Sequence, residues 1–236
     1  MKIAIMQPYL FPYLGYFSLI KHTDKFIFFD TPQYIKHGWV NRNRILKQDG
    51  EPHYFIVPIK KASQQTAINE VEINNAIPWK EKIYGQLTVY KKKAPFYQAV
   101  MDFLHGILDM EYSNLSKLNI LSTVRTCQFL GIDIDYDVYS NMDLQIKNVN
   151  APDEWALRIT EKLGYEVYVN PIGGLSFFDR EKYKLQNIKL EFLRQELIPY
   201  IQKIGHFEEG LSIIDLMMFC DTKTINKMME SYAIIE

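Results

Sequence analysis

Two short apolar runs, separated by a proline-containing loop and a helical pattern, open the chain and constrain its fold. The run Lys2 to Met6 predicts a buried strand, and the run Phe26 to Asp30 predicts a second one. From Tyr13 onward, the apolar residues between these runs repeat at the spacing of one helical face. A helix that joins two parallel strands needs about this length of chain, and its crossover is right-handed. The opening therefore predicts a βαβ unit.

Strand and helix patterns alternate through much of the remaining chain. Residues 39–59, with an Asp-Gly turn between two strand patterns, predict a β-hairpin that is either inserted after the second strand or joined to the main sheet by its return strand. We expect an α/β fold: a mostly parallel Rossmann-like sheet with helices on both faces, an inserted β-hairpin and a helical middle segment. The remaining predicted elements are a short strand at 71–73, helices within 79–130, strands at 135–140, 166–170 and 189–193, and helices at 152–163, 180–186, 212–219 and 222–231, the last two closing the chain.

Composition indicates a globular protein and excludes several classes. The 236 residues, 47% of them apolar, are enough for one large core and contain no linker, so we expect one domain over residues 1–236. The net charge of −1 argues against a nucleic-acid partner, because duplex-binding proteins carry a basic excess. No apolar run approaches the roughly 20 residues of a membrane span, and the N-terminus lacks a signal-peptide pattern. We expect Cys127 and Cys220 to be reduced core thiols. Together with the lack of a span and of a signal-peptide pattern, they predict a cytoplasmic location.

The loop after the first strand is the first candidate site. In an open α/β sheet, ligands bind at the carboxyl ends of the strands, where Gln7, Tyr9 and Gly15 would lie. The loop has neither the dinucleotide fingerprint GxGxxG nor a P-loop. It is faintly similar to the HxGH loop of nucleotidyltransferases, although it lacks both histidines. Alternatively, its prolines and Gly15 only shape a tight, packed turn.

The second strand and the hairpin supply the next candidates. Asp30 ends the second strand, where it would meet a ribose hydroxyl or cap the following turn. Amide and aromatic side chains of the hairpin suit a sugar or a base, and arginine suits a phosphate or a carboxylate. Alternation along the strand places its asparagines and its arginines on opposite faces. The alternative is that the hairpin is an exposed polar edge that binds no ligand. The candidate residues are Gln33, Tyr34, Trp39, Asn41, Arg42, Asn43 and Arg44.

The C-terminal half contributes a glycine-containing loop and one histidine. Asn170 and Gly173 follow a predicted strand and share the sheet edge of Gln7 if the strands are parallel; a plain loop is the alternative. His206 lies in a loop before a predicted capping box, in which Ser212 is the N-cap and Asp215 the third helical residue. The sequence shows no metal-ligand spacing, no evident cofactor motif and no signature of a serine or cysteine nucleophile.

Five segments together form a recognisable pattern: Gln7–Phe17, Trp39–Ile45, Pro78–Trp79, the loop near residue 173 and Phe207–Leu216. They resemble the WbqC-like protein family, and the resemblance covers nearly the whole chain. The residues shared with its motifs are Gln7, Pro8, Tyr9, Pro12, Gly15, Trp39, Asn41, Arg42 and Asn43.

The resemblance implies a bacterial protein of surface-polysaccharide (O-antigen) biosynthesis. We expect a transferase that adds an acyl or aminoacyl group, from an acyl-CoA or carrier-protein thioester, to a nucleotide-linked amino sugar. Arg42 or Arg44 would hold a phosphate, Asn41 and Asn43 sugar hydroxyls, and Asp30 or His206 would accept the amine proton. The alternatives are a nucleotidyltransferase-like enzyme and a non-catalytic binding or scaffold protein of a glycan-assembly complex. Expected partners are a nucleotide-sugar substrate and either a carrier protein or a second copy of the chain, paired through the hairpin edge.

Overall fold

The computed structural model describes residues 1–63, 65–203 and 205–236. The strands are β1 (Lys2–Met6), β2 (Lys25–Phe28), β3 (Arg42–Leu46), β4 (Pro52–Ile56), β5 (Tyr136–Val138), β6 (Val167–Pro171), β7 (Lys189–Gln195) and β8 (Tyr232–Ile235). The helices are α1 (Leu14–Lys21), α2 (Trp79–Leu87), α3 (Tyr97–Leu108), α4 (Leu115–Leu130), α5 (Glu154–Lys162), α6 (Arg180–Leu185), α7 (Ile213–Phe219) and α8 (Thr222–Met229).

Six strands form one sheet in the order β5-β2-β1-β6-β7-β8, and β3 and β4 form a separate antiparallel pair. All neighbours in the large sheet are parallel except β7 and β8. This confirms the mostly parallel sheet, the inserted hairpin and the βαβ opening. Because the chain places β2 on one side of β1 and later returns to place β6 on the other, the strand order reverses at β1.

Side chains that alternate along the strands build two separate cores. Ala4 and Phe26 face the larger core, which they share with apolar residues of α1, α4, α7 and α8. Ile3 and Tyr168 point the other way, into a smaller core with residues of α5 and α6. The sheet therefore has helices on both faces, as the sequence predicted. Full burial of each large apolar side chain contributes about 1.5–3 kcal/mol.

Local sequence signals set the ends of the helices. Asn114 caps α4 by accepting a hydrogen bond from the backbone N–H of Lys117 at 3.0 Å. Gly131 ends the same helix with a φ of 69°, a left-handed conformation that favours glycine. Both assignments confirm the prediction for this helix.

The structure corrects two predicted elements. The chain closes on the strand β8 rather than on helices, and β8 pairs with β7 from Phe192↔Ile235 to Gln195↔Tyr232. A four-residue run of mixed apolar residues carries too little periodicity to predict this strand, and its partner is distant in sequence. The predicted strand at 71–73 is reduced to isolated bridges, one of them Ile59↔Ile73.

The predicted capping box of α7 is half right. Ser212 is the N-cap and its Oγ accepts a hydrogen bond from the N–H of Ile214 at 3.3 Å. Asp215 instead points into the core, where its carboxylate accepts hydrogen bonds from the hydroxyls of Tyr90 and Tyr200 at 2.5 and 2.6 Å. Burial raises the pKa of this carboxyl. These two hydrogen bonds join α7 to the segment that contains Tyr90 and to the segment that contains Tyr200.

Both cysteines are free. Burial raises the pKa of the Cys127 thiol to about 12, so this thiol stays protonated at neutral pH. Across the described residues, no helix combines the length and apolar character that crossing a membrane requires.

Candidate functional site

A large cleft opens at the carboxyl ends of β1, β2 and β6. Its volume is about 1210 Å³, and Gln7, Thr31 and Asn170 line it from the ends of these three strands. This is the point where the strand order reverses, the usual ligand-binding position in open α/β sheets. The predicted placement of Gln7 and Asn170 on one sheet edge is therefore correct.

The pairing of the strands explains why the sheet is open here. On one side, β1 pairs with β2 as far as Met6↔Phe28. On the other side, β1 pairs with β6 only at Lys2↔Val167 and Ile3↔Tyr168. Beyond these residues the two strands diverge, and Ile5, Met6, Asn170 and Pro171 line the cleft. We call this gap between β1 and β6 the strand wedge.

No charged side chain lines the cleft within the part of the chain that the structure describes. Rings from separate segments form much of the wall: Tyr9, Tyr13, Tyr16, Phe29, Trp39, Trp155, Tyr168, Phe177 and Phe178. The polar lining residues, apart from the tyrosine hydroxyls, are Gln7, Thr31, Gln33, Asn43 and Asn170. A site of this composition fits an uncharged ligand with an apolar face and a few hydrogen-bonding groups.

Two buried asparagines hold the loop that follows β1. Asn43, on β3, donates to the carbonyls of Leu10 and Phe11 at 3.0 and 2.8 Å. Asn119, on α4, donates to the carbonyls of Pro8 and Val40 at 2.9 and 2.7 Å. The amide nitrogens of both side chains are therefore committed to backbone carbonyls of the protein itself.

Further hydrogen bonds complete the anchoring of this loop. The hydroxyl of Tyr16 donates to the carbonyl of Gln7 at 2.9 Å, and that of Ser212 to the carbonyl of Phe11 at 2.7 Å. Phe11 has a φ of 41°, which is strained for a residue other than glycine. Such strain persists only where the surrounding contacts fix the backbone, as they do here, and it is concentrated at functional sites. The loop is thus rigid before any ligand binds.

Several polar groups in the cleft keep their hydrogen-bonding capacity for a ligand. The side chain of Gln7 and the hydroxyls of Tyr9 and Tyr13 make no hydrogen bond with another described residue. Burial raises the pKa of both phenols, so both hydroxyls remain protonated and can donate. Asn170 accepts from the hydroxyl of Tyr168 at 3.2 Å through its Oδ1 and leaves its amide nitrogen free among the described residues.

The loop after β6 depends on one glycine. A Cβ at Gly174 would lie 2.3 Å from the amide nitrogen of Asn170 and 2.9 Å from the ring of Phe178. At Gly173, a Cβ would meet nothing within 4 Å. Gly174 therefore permits the close approach that sets the position of Asn170, while Gly173 lines the cleft without such a constraint.

Three predicted ligand-binding residues of the hairpin region lie outside the cleft lining. The hydroxyl of Tyr34 donates to Oδ1 of Asn41 at 2.9 Å, and Asn41 donates to the carbonyl of Val57 at 3.0 Å. Arg42 donates to the carbonyls of His37 and Gly38 and lies 4.2 Å from the ring centre of Tyr54. The predicted residues Gln33, Trp39 and Asn43 do line the cleft.

Arg44 and Gly15 also have internal contacts. Arg44 donates to the carbonyls of Glu209 and Gly210 at 3.3 Å and forms an ion pair with Glu208 at 3.5 Å. Gly15 is in α1 beneath Tyr13, whose hydroxyl would lie 2.5 Å from a Cβ at this position. The absence of a side chain at Gly15 thus lets Tyr13 pack against the helix.

The two predicted proton acceptors do not line the cleft either. Asp30 is buried and accepts hydrogen bonds from the N–H and the hydroxyl of Ser140 at 3.0 and 2.7 Å. This contact ties the end of β2 to the turn after β5. His206 is exposed, and it lies in the segment between β7 and α7.

Sequence reasoning missed most of the aromatic wall and the anchoring role of Asn119. Phe29 directly follows β2, so its position at the strand end was a usable signal. Trp155 lies within a predicted helix, and nothing local in the sequence links Phe177 and Phe178 to the other rings. Asn119 lies on α4, and nothing in the sequence of this helix indicates that its amide binds two distant segments.

Comparison with known proteins identifies relatives of the chain. A family model described as the WbqC-like protein family matches residues 7–227. The chain is 28% identical over 219 residues to the protein named "Uncharacterized protein Rv1507c" of Mycobacterium tuberculosis, and the match covers 92% of each chain. No solved structure matches the chain.

Proposed function

The chain belongs to the WbqC-like protein family, and we propose that it is a transferase of bacterial surface-polysaccharide (O-antigen) biosynthesis. It adds an acyl or aminoacyl group to the amine of a nucleotide-linked amino sugar. The observation that carries this proposal is the rigid, aromatic and uncharged cleft at the switch in strand order. In the proposal, the sugar of the acceptor binds in this cleft.

The cleft lining suits a sugar ring. Aromatic rings such as Trp39 and Trp155 present flat apolar surfaces for the C–H faces of a sugar. Free donors and acceptors, the side chain of Gln7 and the hydroxyls of Tyr9 and Tyr13, can bond to its hydroxyls. Hydrogen bonds of this kind select a ligand because a mismatched ligand leaves the polar groups of the site without partners.

The absence of charge among the described lining residues also favours the reactive form of the amine. An ammonium that enters such a cleft loses hydration and finds no carboxylate with which to pair. Desolvation of an ion costs several kcal/mol, whereas the attraction of an aromatic face for a cation contributes only about 0.5–2 kcal/mol. The pKa of a bound amine is therefore lowered, and the neutral, nucleophilic amine predominates.

Acyl transfer from a thioester requires little more than positioning. The amine nitrogen attacks the thioester carbonyl, the C–N bond forms and the C–S bond breaks. The departing sulfur takes the electron pair and then the proton released by the amine. Holding the two reactants in place can supply much of the rate enhancement. Asp30 and His206 as proton acceptors, and Arg42 as a phosphate ligand, stay predictions.

Nucleotidyl transfer is less well supported. A nucleoside triphosphate carries several negative charges, and enzymes usually meet these with lysine, arginine or metal ions. The described residues of the cleft offer no charged side chain for this purpose.

The test is calorimetric titration with UDP-, dTDP- and GDP-linked amino sugars, each beside the analogue that has a hydroxyl in place of the amine. Tyr9→Phe should weaken binding about two- to tenfold, the equivalent of one hydrogen bond of about 0.5–1.5 kcal/mol. Tyr97→Phe, the same change on α3 outside the cleft, is the control and should bind normally.

Incubation with acyl-CoA and mass spectrometry of the sugar then test transfer. A mass increase equal to the acyl group supports the enzyme. Binding without transfer from any thioester would favour a non-catalytic binding protein of a glycan-assembly complex. Failure of every nucleotide sugar to bind would overturn the proposal.

A further inference from the structure

The cleft is larger than one sugar needs, and it includes the strand wedge between β1 and β6. Small-molecule sites commonly have volumes of about 300–1,000 Å³, and this one has about 1210 Å³. We propose that the strand wedge binds the uncharged pantetheine arm of the acyl donor, so that donor and acceptor occupy the cleft together and transfer is direct. This inference rests on the proposed function, which supplies the acceptor.

The geometry of the wedge fits an extended chain that carries amides. The outer side of β6 is paired with β7 as far as Pro171↔Leu193, and the outer side of β1 is paired with β2 as far as Met6↔Phe28. Among the described residues of these two strands, the facing edges beyond Ile3↔Tyr168 have no strand partner. Unpaired strand edges present backbone N–H and C=O groups that require partners. An extended ligand with amide groups can provide them, as peptides do when they add to a sheet edge.

The side chains around the wedge agree with such a ligand. The pantetheine arm has two amides, a hydroxyl and a dimethyl group, and it has no charge. The wedge is flanked by Ile5 and Met6 on one side and by the free amide nitrogen of Asn170 on the other. The charged phosphate of the donor would lie outside the uncharged cleft, towards the exposed residues Ile35 and Phe177 at its mouth. The arm is the same in coenzyme A and in a carrier protein, so the wedge alone does not favour either source.

The lining residues also indicate that the acyl group passes straight from donor to acceptor. A covalent acyl-enzyme needs a nucleophile and usually an adjacent base. Among the described lining residues there is no cysteine, serine or lysine, and Thr31 has no histidine or carboxylate beside it in the cleft. The amine must therefore meet the thioester while both are bound. The bonds made and broken are those of the proposed transfer, and no co-reactant is required.

Binding experiments separate the arm from the rest of the donor. The full chain is titrated with pantetheine, with coenzyme A and with adenosine 3′,5′-bisphosphate, which has the nucleotide part without the arm. We expect pantetheine to bind within about threefold of coenzyme A and the bisphosphate not to bind. Holo acyl carrier protein is compared with its apo form to test the second source of the arm; tenfold tighter binding of the holo form assigns the donor to a carrier. Binding of the bisphosphate without pantetheine, or of none of the arm-bearing probes, would overturn the proposal.

Two further measurements test position and mechanism. Asn170→Leu should weaken pantetheine binding about tenfold, whereas Gln98→Leu on the exposed side of α3 should not change it. With an amino-sugar acceptor, initial rates at varied donor and acceptor should give intersecting double-reciprocal lines. Parallel lines, with an acylated protein seen by mass spectrometry, would contradict direct transfer.

The two proposals fail in different ways. If amino sugars bind and pantetheine does not, the wedge assignment is wrong and the transferase must use another donor. If pantetheine binds and no amino sugar does, the wedge assignment stands and the acceptor is wrong.

Discussion

Replacement of Asn119 by alanine should loosen the loop that forms one wall of the cleft. Asn119 is fully buried on α4, and its amide donates to the carbonyls of Pro8 at 2.9 Å and Val40 at 2.7 Å. These two bonds join the loop after β1 to the segment before β3. The side-chain carbonyl of Asn119 has no hydrogen-bond partner among the described residues. The side chain therefore acts as a donor to two separate segments.

The expected loss of stability follows from these contacts. In the alanine variant, two buried backbone carbonyls lose their donor, at about 1–3 kcal/mol each. Removal of the buried, unpaired oxygen of Asn119 offsets about 1 kcal/mol of this loss. We expect the free energy of unfolding to fall by about 1–5 kcal/mol. The strained backbone of Phe11, with a φ of 41°, lies in the same loop and would be less firmly held.

Urea unfolding, followed by circular dichroism, measures this change, and α4 offers a matched control. Thr123 is also fully buried, and its hydroxyl has no partner in the described part of the chain. Thr123→Val keeps the shape and removes an unsatisfied polar group, so its stability should be unchanged or slightly higher. A loss below about 1 kcal/mol for Asn119→Ala, or equal losses for both variants, would refute the anchoring argument.

Two more predictions concern the loop after β6 and the buried carboxyl. Gly174→Ala should weaken ligand binding and destabilise the fold by about 1–3 kcal/mol, because its Cβ would displace Asn170 and Phe178. Titration and urea unfolding measure these changes. The control variant Gly173→Ala should leave stability unchanged. Burial raises the pKa of Asp215 in the folded protein, so its contribution to stability is full below the ordinary pKa of about 3.9 and is lost as pH rises. The stability difference between wild type and Asp215→Asn should therefore be most favourable to wild type near pH 4 and shrink towards pH 7; a difference that grows with pH would contradict this.

The sequence predicted the sheet and its edge better than it predicted the roles of single residues. Apolar runs and turn residues are local signals, so β1, α1 and the hairpin could be recognised. Asn41 and Asn43 were correctly placed on the face opposite the arginines, yet both donate to backbone carbonyls of the protein. An amide that binds a sugar and an amide that binds a buried carbonyl look the same in a sequence, because the same donor serves both.

The aromatic wall could not be predicted for a different reason. Phe29 follows β2, Trp155 is on α5, and Phe177 and Phe178 lie between β6 and α6. Over 120 residues separate the first from the others, and only the strand order brings them to one cleft. In each segment alone, the ring has the ordinary appearance of a core or loop residue.

The distribution of charge supports a site that depends on shape and hydrogen bonds. At the amino ends of β1 and β2, Lys2 contacts Glu191 at 2.7 Å and Lys25 contacts Asp135 at 2.8 Å. The cleft at the opposite, carboxyl ends has no charged lining residue in the described chain. Charge interactions act over about 8–10 Å at moderate salt, whereas hydrogen bonds need contact. A ligand would therefore be selected in the cleft by the fit of its ring and arm to rigid walls, and any phosphate it carries would contribute mainly outside them.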